Sequence, residues 1–233
     1  MPAAHGRAAV HSGDPSTPTG QYAVPTMLNR LLRASMTKIL GPIAHLFLRL
    51  GISPDVVTIV GTVGVCAGAL AFFPRGEIWV GVLVITAFVF SDNVDGIMAR
   101  ESGRSSKWGA YLDSTLDRVG DAAIFGGLVL YYAGKGNNQL MAGLALGCLI
   151  LGSVVSYAKA RAEGLGYTAN VGIAERADRL VAVLVAAFFA DLFDSTILLG
   201  VVLGILAVAS FVTVLQRMLT VRRQALASGE VGA

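Results

Sequence analysis

Charged residues are scarce in this chain of 233 residues. Lys, Arg, Asp and Glu together make up 14% of it, whereas soluble domains carry about 25%. Hydrophobic residues make up 55%, and the mean hydropathy is +0.68. Apolar runs near the ~20 residues that cross the hydrocarbon of a bilayer recur along the sequence. This composition argues against a water-soluble core and predicts one integral membrane domain.

Proline, cysteine and histidine are also rare, with seven, two and three residues respectively. All seven prolines lie at or before Pro74, so the later part of the chain is expected to form continuous helices, unlike the broken helices of many transporters. Cys66 and Cys148 lie inside apolar runs, as small packing residues do, and not as a disulfide or a metal pair. The histidines show no ligand spacing, and no early apolar stretch predicts a signal peptide.

Six apolar segments predict six membrane-spanning helices: 55–73, 78–100, 108–133, 139–161, 179–193 and 195–219. In residues 27–50, apolar side chains recur at helical spacing between basic ones. This pattern predicts an N-terminal amphipathic helix in the membrane interface, kinked at Pro42, with a plain linker as the alternative. Residues 1–26 are rich in Pro, Gly, Ser and Thr and are expected to be disordered. The predicted fold is all-α, with residues 27–233 forming one membrane domain.

Basic residues are distributed unevenly between the two ends of these helices. With six spans both termini share one face, and that face carries most of the basic residues near the helix ends. The opposite face offers only Arg75 and Lys135. This positive-inside distribution predicts a multi-pass protein of the cell membrane with both termini and the even-numbered junctions in the cytoplasm. It also explains the net charge of +3 without a nucleic-acid partner.

Four aspartates lie at the ends of two predicted spans, where charge is costly and indicates function. Asp92 and Asp95 share one helical face at the end of span two. Asp113 and Asp117 share another face at the start of span three, after a short connection. Four carboxylates brought together would repel one another unless hard divalent cations, which take oxygen ligands, neutralised them. A pair of such ions suits phosphoryl chemistry.

The alternative is that these aspartates form ion pairs with Arg100 and Arg118. Two arginines cannot balance four aspartates together with Asp121, which continues the second acidic face by one turn, so metal binding is favoured. Arg100 could also pair with a phosphate. Small residues beside the aspartates leave room for a bulky ligand: Gly96, Ala99 and Gly109.

The order and spacing of these residues resemble the signature of the CDP-alcohol phosphotransferases. The matching string is Asp92-xx-Asp95-Gly96-xx-Ala99-Arg100-(eight residues)-Gly109-xxx-Asp113-xxx-Asp117. The resemblance implies that all four aspartates hold two divalent ions, Mg²⁺ with Mn²⁺ as the alternative. It implies that Asp117 is the general base for the acceptor hydroxyl, which attacks the β-phosphorus of a CDP-lipid and releases CMP.

The same resemblance implies a cytidine diphosphate pocket beside the aspartates. Its expected lining is Gly96, Ala99, Arg100, Ser106 and the stretch Asp55, Val56, Val57 and Thr58 at the start of span one. Ser53 and Pro54 also predict a helix start, as the capping residue and the first-turn residue. The two interpretations of this stretch are compatible.

The signature does not identify the acceptor alcohol, but basic residues elsewhere bear on it. If the helices pack side by side, four cations could build an anion pocket for a phosphorylated acceptor: Lys159, Arg176, Arg179 and Arg217. Ordinary flanking charge is the alternative for each of them. The strings 53–58, 156–163 and 175–179 are most similar to those of actinobacterial phosphatidylinositol phosphate synthases, which join CDP-diacylglycerol to inositol 1-phosphate.

That closer resemblance implies that Ser156, Lys159, Arg179 and Arg217 bind inositol phosphate, and that the protein is a homodimer in the membrane. Glycerol 3-phosphate stays open as the acceptor, because it too needs a phosphate pocket. A divalent-cation transporter is the alternative from another class. Its ligands should lie near mid-membrane on broken helices, whereas these aspartates cluster at the ends of unbroken ones.

Overall fold

The computed structural model of the chain describes residues 40–89, 91–101, 106–173 and 175–229, with the side chains of residues 91–93 outside that description. Those ranges contain a helix over residues 40–49, followed by α1 (Pro54–Phe72), α2 (Ile78–Val89), α3 (Ser91–Glu101), α4 (Lys107–Ala133), α5 (Gln139–Gly164), α6 (Arg176–Leu192) and α7 (Ile197–Ala227). A short 3-10 turn, Phe73–Arg75, follows α1. Within the described ranges every regular element is helical, which confirms the predicted all-α class.

Among the described residues, each segment predicted to span the membrane is largely helical. Four of the described helices are long and apolar enough to cross a bilayer: Pro54–Arg75, Ile78–Glu101, Gln139–Gly164 and Ile197–Ala227. The other two differ for identifiable reasons. The first half of α4 carries the acidic face, and α6 has only 17 residues. By length and composition, the described residues therefore contain four of the six predicted spans.

Side-chain oxygens define where several of these helices begin. The Val56 N–H donates to Ser53 Oγ at 3.4 Å at the start of α1, where Pro54 occupies the first turn. The Gly109 N–H donates to Ser106 Oγ at 3.0 Å at the start of α4. Such bonds satisfy N–H groups that have no partner inside the helix. The helix start predicted at Ser53 and Pro54 is confirmed.

The main apolar core lies between α1, α2, α4, α5, α6 and α7. The axes of α1 and α4 approach closely, because a Cβ at Gly127 would lie 2.9 Å from the carbonyl oxygen of Ala69. Cys148 lies in this core and its thiol donates to the Leu203 carbonyl at 3.2 Å. Cys148 and Cys66 are both free thiols, in agreement with the sequence interpretation.

Residues 40–49 form a helix that packs beside the start of α1 and the end of α3. Ala44 is fully buried in a small cluster with Val57, Val94, Ile97 and Met98. Apolar side chains are also exposed on this helix and directly after it: Ile43, Leu46 and Leu50. The rest of the predicted amphipathic helix, residues 27–39, and the predicted tail, residues 1–26, lie outside the described residues.

Helices α1 and α4 run side by side in the same direction. At their N-terminal ends the Trp108 indole N–H donates to Asp55 Oδ2 at 3.2 Å. At the other end of the pair the Lys135 ammonium donates to the Arg75 carbonyl at 2.7 Å. Arg75 and Lys135, the two basic residues expected on the opposite face, therefore meet at the other end of the α1–α4 pair from Asp55.

Candidate active site

A cleft of about 890 Å³, including its open mouth, lies between the starts of α1 and α4 and the helix α3. We name it the α3–α4 cleft. It is lined by Pro54, Asp55, Thr58, Asp95, Gly96, Ala99, Arg100, Ser106, Gly109, Ala110 and Asp113. Most of the residues predicted to contact a CDP-lipid are therefore brought together on one surface, beside two of the four predicted metal ligands.

Two residues of the predicted nucleotide stretch lie elsewhere. Val57 is buried in the small apolar cluster under residues 40–49, and the Val56 side chain is exposed on another side of α1. Asp55 and Thr58 are three residues apart and share a helical face, which is the face that lines the cleft. The side chains of Val56 and Val57 project away from that face.

Thr58 has a role that its position in the sequence did not reveal. Its hydroxyl donates to Asp95 Oδ2 and also lies 3.1 Å from the Pro54 carbonyl. Asp95 is only 7% exposed, and a buried carboxylate needs such hydrogen bonds to remain charged. Thr58 therefore orients a predicted metal ligand from the facing helix.

A second cleft, of about 1080 Å³ with its open mouth, lies between the helices α4, α5, α6 and α7, and we name it the α4–α7 cleft. All five residues predicted for the acceptor phosphate line it: Ser156, Lys159, Arg176, Arg179 and Arg217. Ala110 lines both clefts. The two clefts therefore adjoin at α4, with Asp113 lining the first and Asp117 the second.

Two of these arginines are built into the protein interior. Arg179 is 2% exposed, and a Cβ at Gly152 would lie 3.3 Å from its Nε and Nη2 atoms. Arg217 is 7% exposed. Its Nε donates to the Val171 carbonyl at 3.0 Å, and its Nη1 donates to the Val155 carbonyl. Arginines are almost never buried to this extent unless they are paired, so both guanidinium groups need partners inside the protein.

Asp117 and Asp121 share two arginines. Arg176 Nη1 lies 2.8 Å from Asp117 Oδ1, and its Nε donates to Asp121 Oδ1 at 3.0 Å. Arg118 lies 3.6 Å from Asp117 and 3.7 Å from Asp121. The ion-pair alternative is thus partly realised through Arg118. The second partner is Arg176, however, since Arg100 lines the other cleft.

The structure describes the side chains of three of the four predicted metal ligands: Asp95, Asp113 and Asp117. The Asp92 side chain lies outside that description, and among the described residues no three His, Cys, Asp or Glu side chains are grouped to hold a metal ion. Asp95 and Asp113 nevertheless line the same cleft. Asp113 is exposed, and Gly96 beside it leaves space, because a Cβ there would meet only Arg100 at 3.8 Å. These oxygen donors fit a hard divalent cation.

The α4–α7 cleft also contains polar residues that sequence reasoning left without a role: Ser114, Glu163 and Glu175. The two glutamates lie in the strings that resemble the inositol phosphate enzymes, which was the available signal. Glu163 is 3.9 Å from Lys159, four residues before it on α5. Asp121, which continues the acidic face of Asp113 and Asp117 by one turn, is the buried partner of Arg176.

Comparison with known proteins agrees with this geometry. Residues 51–213 match the CDP-alcohol phosphatidyltransferase family. A phosphatidylinositol phosphate synthase of Streptomyces avermitilis is 53% identical over 222 residues, which are 91% of this chain and 91% of the relative. One of Cutibacterium acnes is 48% identical over 198 residues, covering 82% of this chain and 96% of the relative.

Solved structures of a further relative have the same fold. The crystal structure of Mycobacterium tuberculosis phosphatidylinositol phosphate synthase with CDP-DAG bound has a TM-score of 0.76 and 44% identity, covering 79% of this chain and 94% of that one. The same protein in complex with manganese and citrate has a TM-score of 0.75 and 43% identity, covering 78% of this chain and 88% of that one.

Proposed function

The chain belongs to the CDP-alcohol phosphatidyltransferase family, and we propose that it transfers the phosphatidyl group of CDP-diacylglycerol to inositol 1-phosphate and releases CMP. One observation carries this proposal. Two clefts adjoin at α4, one rich in small residues and carboxylates and the other lined by buried arginines. Such a pair of sites suits a donor with a bulky headgroup and an acceptor that carries a phosphate. The names of the relatives support the same assignment.

The CDP headgroup occupies the α3–α4 cleft. Arg100 lines this cleft and pairs with the diphosphate, because an arginine presents a fork of N–H donors to phosphate oxygens. Gly96, Ala99 and Gly109 provide the room, and Asp55 and Ser106 lie at the nucleotide end. The structure of the Mycobacterium tuberculosis relative with CDP-DAG bound supports a donor site of this kind.

Four aspartates hold two divalent ions where the two clefts adjoin at α4: Asp92, Asp95, Asp113 and Asp117. We assign Mg²⁺, with Mn²⁺ as the alternative that the manganese complex of the relative supports. Such ions supply positive charge to the diphosphate and to the leaving oxygen. Within the protein, Thr58 orients Asp95 for this task through its hydrogen bond.

The acceptor phosphate binds in the α4–α7 cleft. The buried guanidinium groups of Arg179 and Arg217 bind this phosphate. Lys159 and Ser156 contribute an ammonium and a hydroxyl group from α5. Arg176 stands between this phosphate site and Asp117, because its guanidinium contacts Asp117 while its side chain lines the same cleft. The hydroxyl that reacts then points toward α4 and the donor cleft.

Asp117 accepts the proton of that hydroxyl as general base. The acceptor oxygen forms a bond to the β-phosphorus, which carries the diacylglycerol. The bond from the β-phosphorus to the oxygen that bridges it to the α-phosphorus breaks, and CMP leaves with that oxygen. The products are phosphatidylinositol phosphate and CMP, with the proton held on Asp117 until it exchanges with solvent.

The membrane arrangement completes the proposal. Six spans, including α4 and α6, cross the cell membrane, and the helix from residue 27 lies in the interface behind a disordered tail of residues 1–26. Both termini and the active site face the cytoplasm. Arg75 and Lys135 meet at one end of α1 and α4, and the larger number of basic residues predicted at the other end supports this orientation. The protein acts as a homodimer, which chemical cross-linking in native membranes would test.

The test is CMP release by purified protein with CDP-diacylglycerol and Mg²⁺. Inositol 1-phosphate, free inositol and glycerol 3-phosphate are compared as acceptors. We expect release with inositol 1-phosphate and little with the other two. Preference for glycerol 3-phosphate would retain the donor chemistry and refute the acceptor assignment. No release with any acceptor from folded protein would refute the enzyme and favour a divalent-cation transporter.

A further inference from the structure

Glu175 occupies the N-cap position of α6 without capping it. Its side chain makes no capping hydrogen bond, and Glu is not among the residues favoured at that position, which are Ser, Thr, Asp and Asn. The residue is exposed and lines the α4–α7 cleft. A capping hydrogen bond therefore does not explain a glutamate at this place, although its negative charge is favourable beside the N-terminus of a helix.

The other carboxylates of the cleft are already engaged. Asp117 pairs with Arg176 and Arg118, and Glu163 lies 3.9 Å from Lys159. Glu175 forms no direct ion pair with any side chain in the described part of the chain, although its negative charge acts at longer range on Arg217 in the same cleft. A carboxylate that faces a cationic cleft without a pairing side chain is available to a ligand.

A phosphorylated polyol offers such a carboxylate a suitable partner. The phosphate of the acceptor needs cations, which Arg179, Arg217 and Lys159 supply in this cleft. The remaining hydroxyls are hydrogen-bond donors and need acceptors. An ionised carboxylate is an acceptor with two oxygens and can receive two neighbouring hydroxyls at once. Hydrogen bonds to a charged acceptor are roughly twice as strong as neutral ones.

We infer that Glu175 accepts hydrogen bonds from hydroxyls of the acceptor ring and so makes the enzyme prefer a cyclic polyol phosphate to glycerol 3-phosphate. This inference rests on the proposed function. Glu175 would supply a preference between the two acceptors, which the cations alone do not supply because both acceptors carry a phosphate. A site built to bind a hydroxyl discriminates strongly against an analogue that lacks it.

The test compares Glu175→Ala and Glu175→Gln with the wild-type full chain, in detergent with CDP-diacylglycerol and Mg²⁺. For Glu175→Ala we expect kcat/KM with inositol 1-phosphate to fall roughly 10- to 100-fold, the range for a lost hydrogen bond to a charged group. Glu175→Gln keeps the shape and an acceptor oxygen, so its loss should be smaller. The KM for CDP-diacylglycerol should stay constant, and kcat/KM with glycerol 3-phosphate should not fall.

Inositol 1-phosphate analogues that each lack one ring hydroxyl make the test specific. For the analogue without the hydroxyl that Glu175 binds, Glu175→Ala should cause no further loss. Glu77→Ala is the matched control, because Glu77 is exposed just before α2 and lines neither cleft. Thermal unfolding and gel filtration of every variant establish that the fold is intact.

The outcomes separate the two levels of the argument. Equal losses with all acceptors, or a gain with both phosphorylated acceptors, would overturn the inference while leaving the proposed function in place. A gain would mean that the carboxylate only repels the phosphate. A wild-type protein that does not use inositol 1-phosphate would overturn both.

Discussion

Arg176 Nη1 lies 2.8 Å from Asp117 Oδ1, and this contact joins the start of α6 to the second acidic position of α4. The residues are 59 apart in the sequence. Asp121 binds the same guanidinium through its Nε at 3.0 Å. The contact links the proposed base to the wall of the α4–α7 cleft. A substitution of either Arg176 or Asp117 should therefore change the position of the reacting hydroxyl.

Asp117→Asn should abolish turnover in a protein that still folds. An amide cannot take up the proton, and the loss of a general base typically costs 10²- to 10⁴-fold in rate. CMP release measures the effect, and gel filtration reports the fold. Asp194→Asn is the control, because Asp194 lies in the turn after α6, away from both clefts. Retained CMP release in Asp117→Asn would remove Asp117 from the role of base.

Lys159→Ala should mainly raise the KM for the acceptor. The ammonium lines the α4–α7 cleft and is not part of the α3–α4 cleft, so the KM for CDP-diacylglycerol should stay constant. A rise of about tenfold is expected from the loss of one charged contact. Lys135→Ala, at the opposite end of α4, is the matched control. An acceptor KM equal to that of the wild type would exclude Lys159 from the phosphate site.

Gly152→Ala should weaken acceptor binding through Arg179. The added Cβ would lie 3.3 Å from two nitrogen atoms of the buried guanidinium, so Arg179 has to move by a few tenths of an ångström. Because catalysis depends on accurate positioning, we expect a several-fold rise in the acceptor KM, measured by CMP release.

Gly147→Ala on the same helix provides the control, since a Cβ there would meet nothing within 4 Å. It should leave the acceptor KM unchanged. Equal effects of the two substitutions would mean that helix stability, and not the position of Arg179, is what changes.

Thr58→Val should raise the Mg²⁺ concentration needed for half-maximal activity. The substitution keeps the shape and removes the hydroxyl that donates to the buried Asp95. Loss of a residue that orients a metal ligand typically costs 10- to 100-fold in metal affinity or activity. The measurement is CMP release over a range of Mg²⁺ concentrations, with Mn²⁺ binding followed by electron paramagnetic resonance as a second readout.

Thr62→Val is the matched control for this experiment. Thr62 lies one turn further along α1, and its hydroxyl donates only to the Thr58 carbonyl at 3.0 Å. Its substitution should leave the Mg²⁺ dependence unchanged. An unchanged Mg²⁺ dependence in Thr58→Val would show that Asp95 does not need this hydrogen bond.

Local sequence determined the helices and the faces on which the aspartates lie. Hydropathy runs of the right length predict spans, and Ser53 and Pro54 predict the start of α1, because these features act within a few residues of one another. The spacing of Asp113 and Asp117 is likewise a property of one helix, since residues four apart share a face. The space that the small residues leave beside the aspartates was predictable for the same reason.

Tertiary packing alone decided what each face meets. Helical periodicity does not specify how a helix is rotated against its neighbours or which of them it packs against. Core packing buries the Val57 side chain in an apolar cluster. It also brings Arg176 to Asp117, whereas the sequence suggested Arg100 as a partner. Glu175 is placed in the α4–α7 cleft. These contacts join residues that are far apart in the chain. They follow from how the side chains of the core fill space, which no local pattern records.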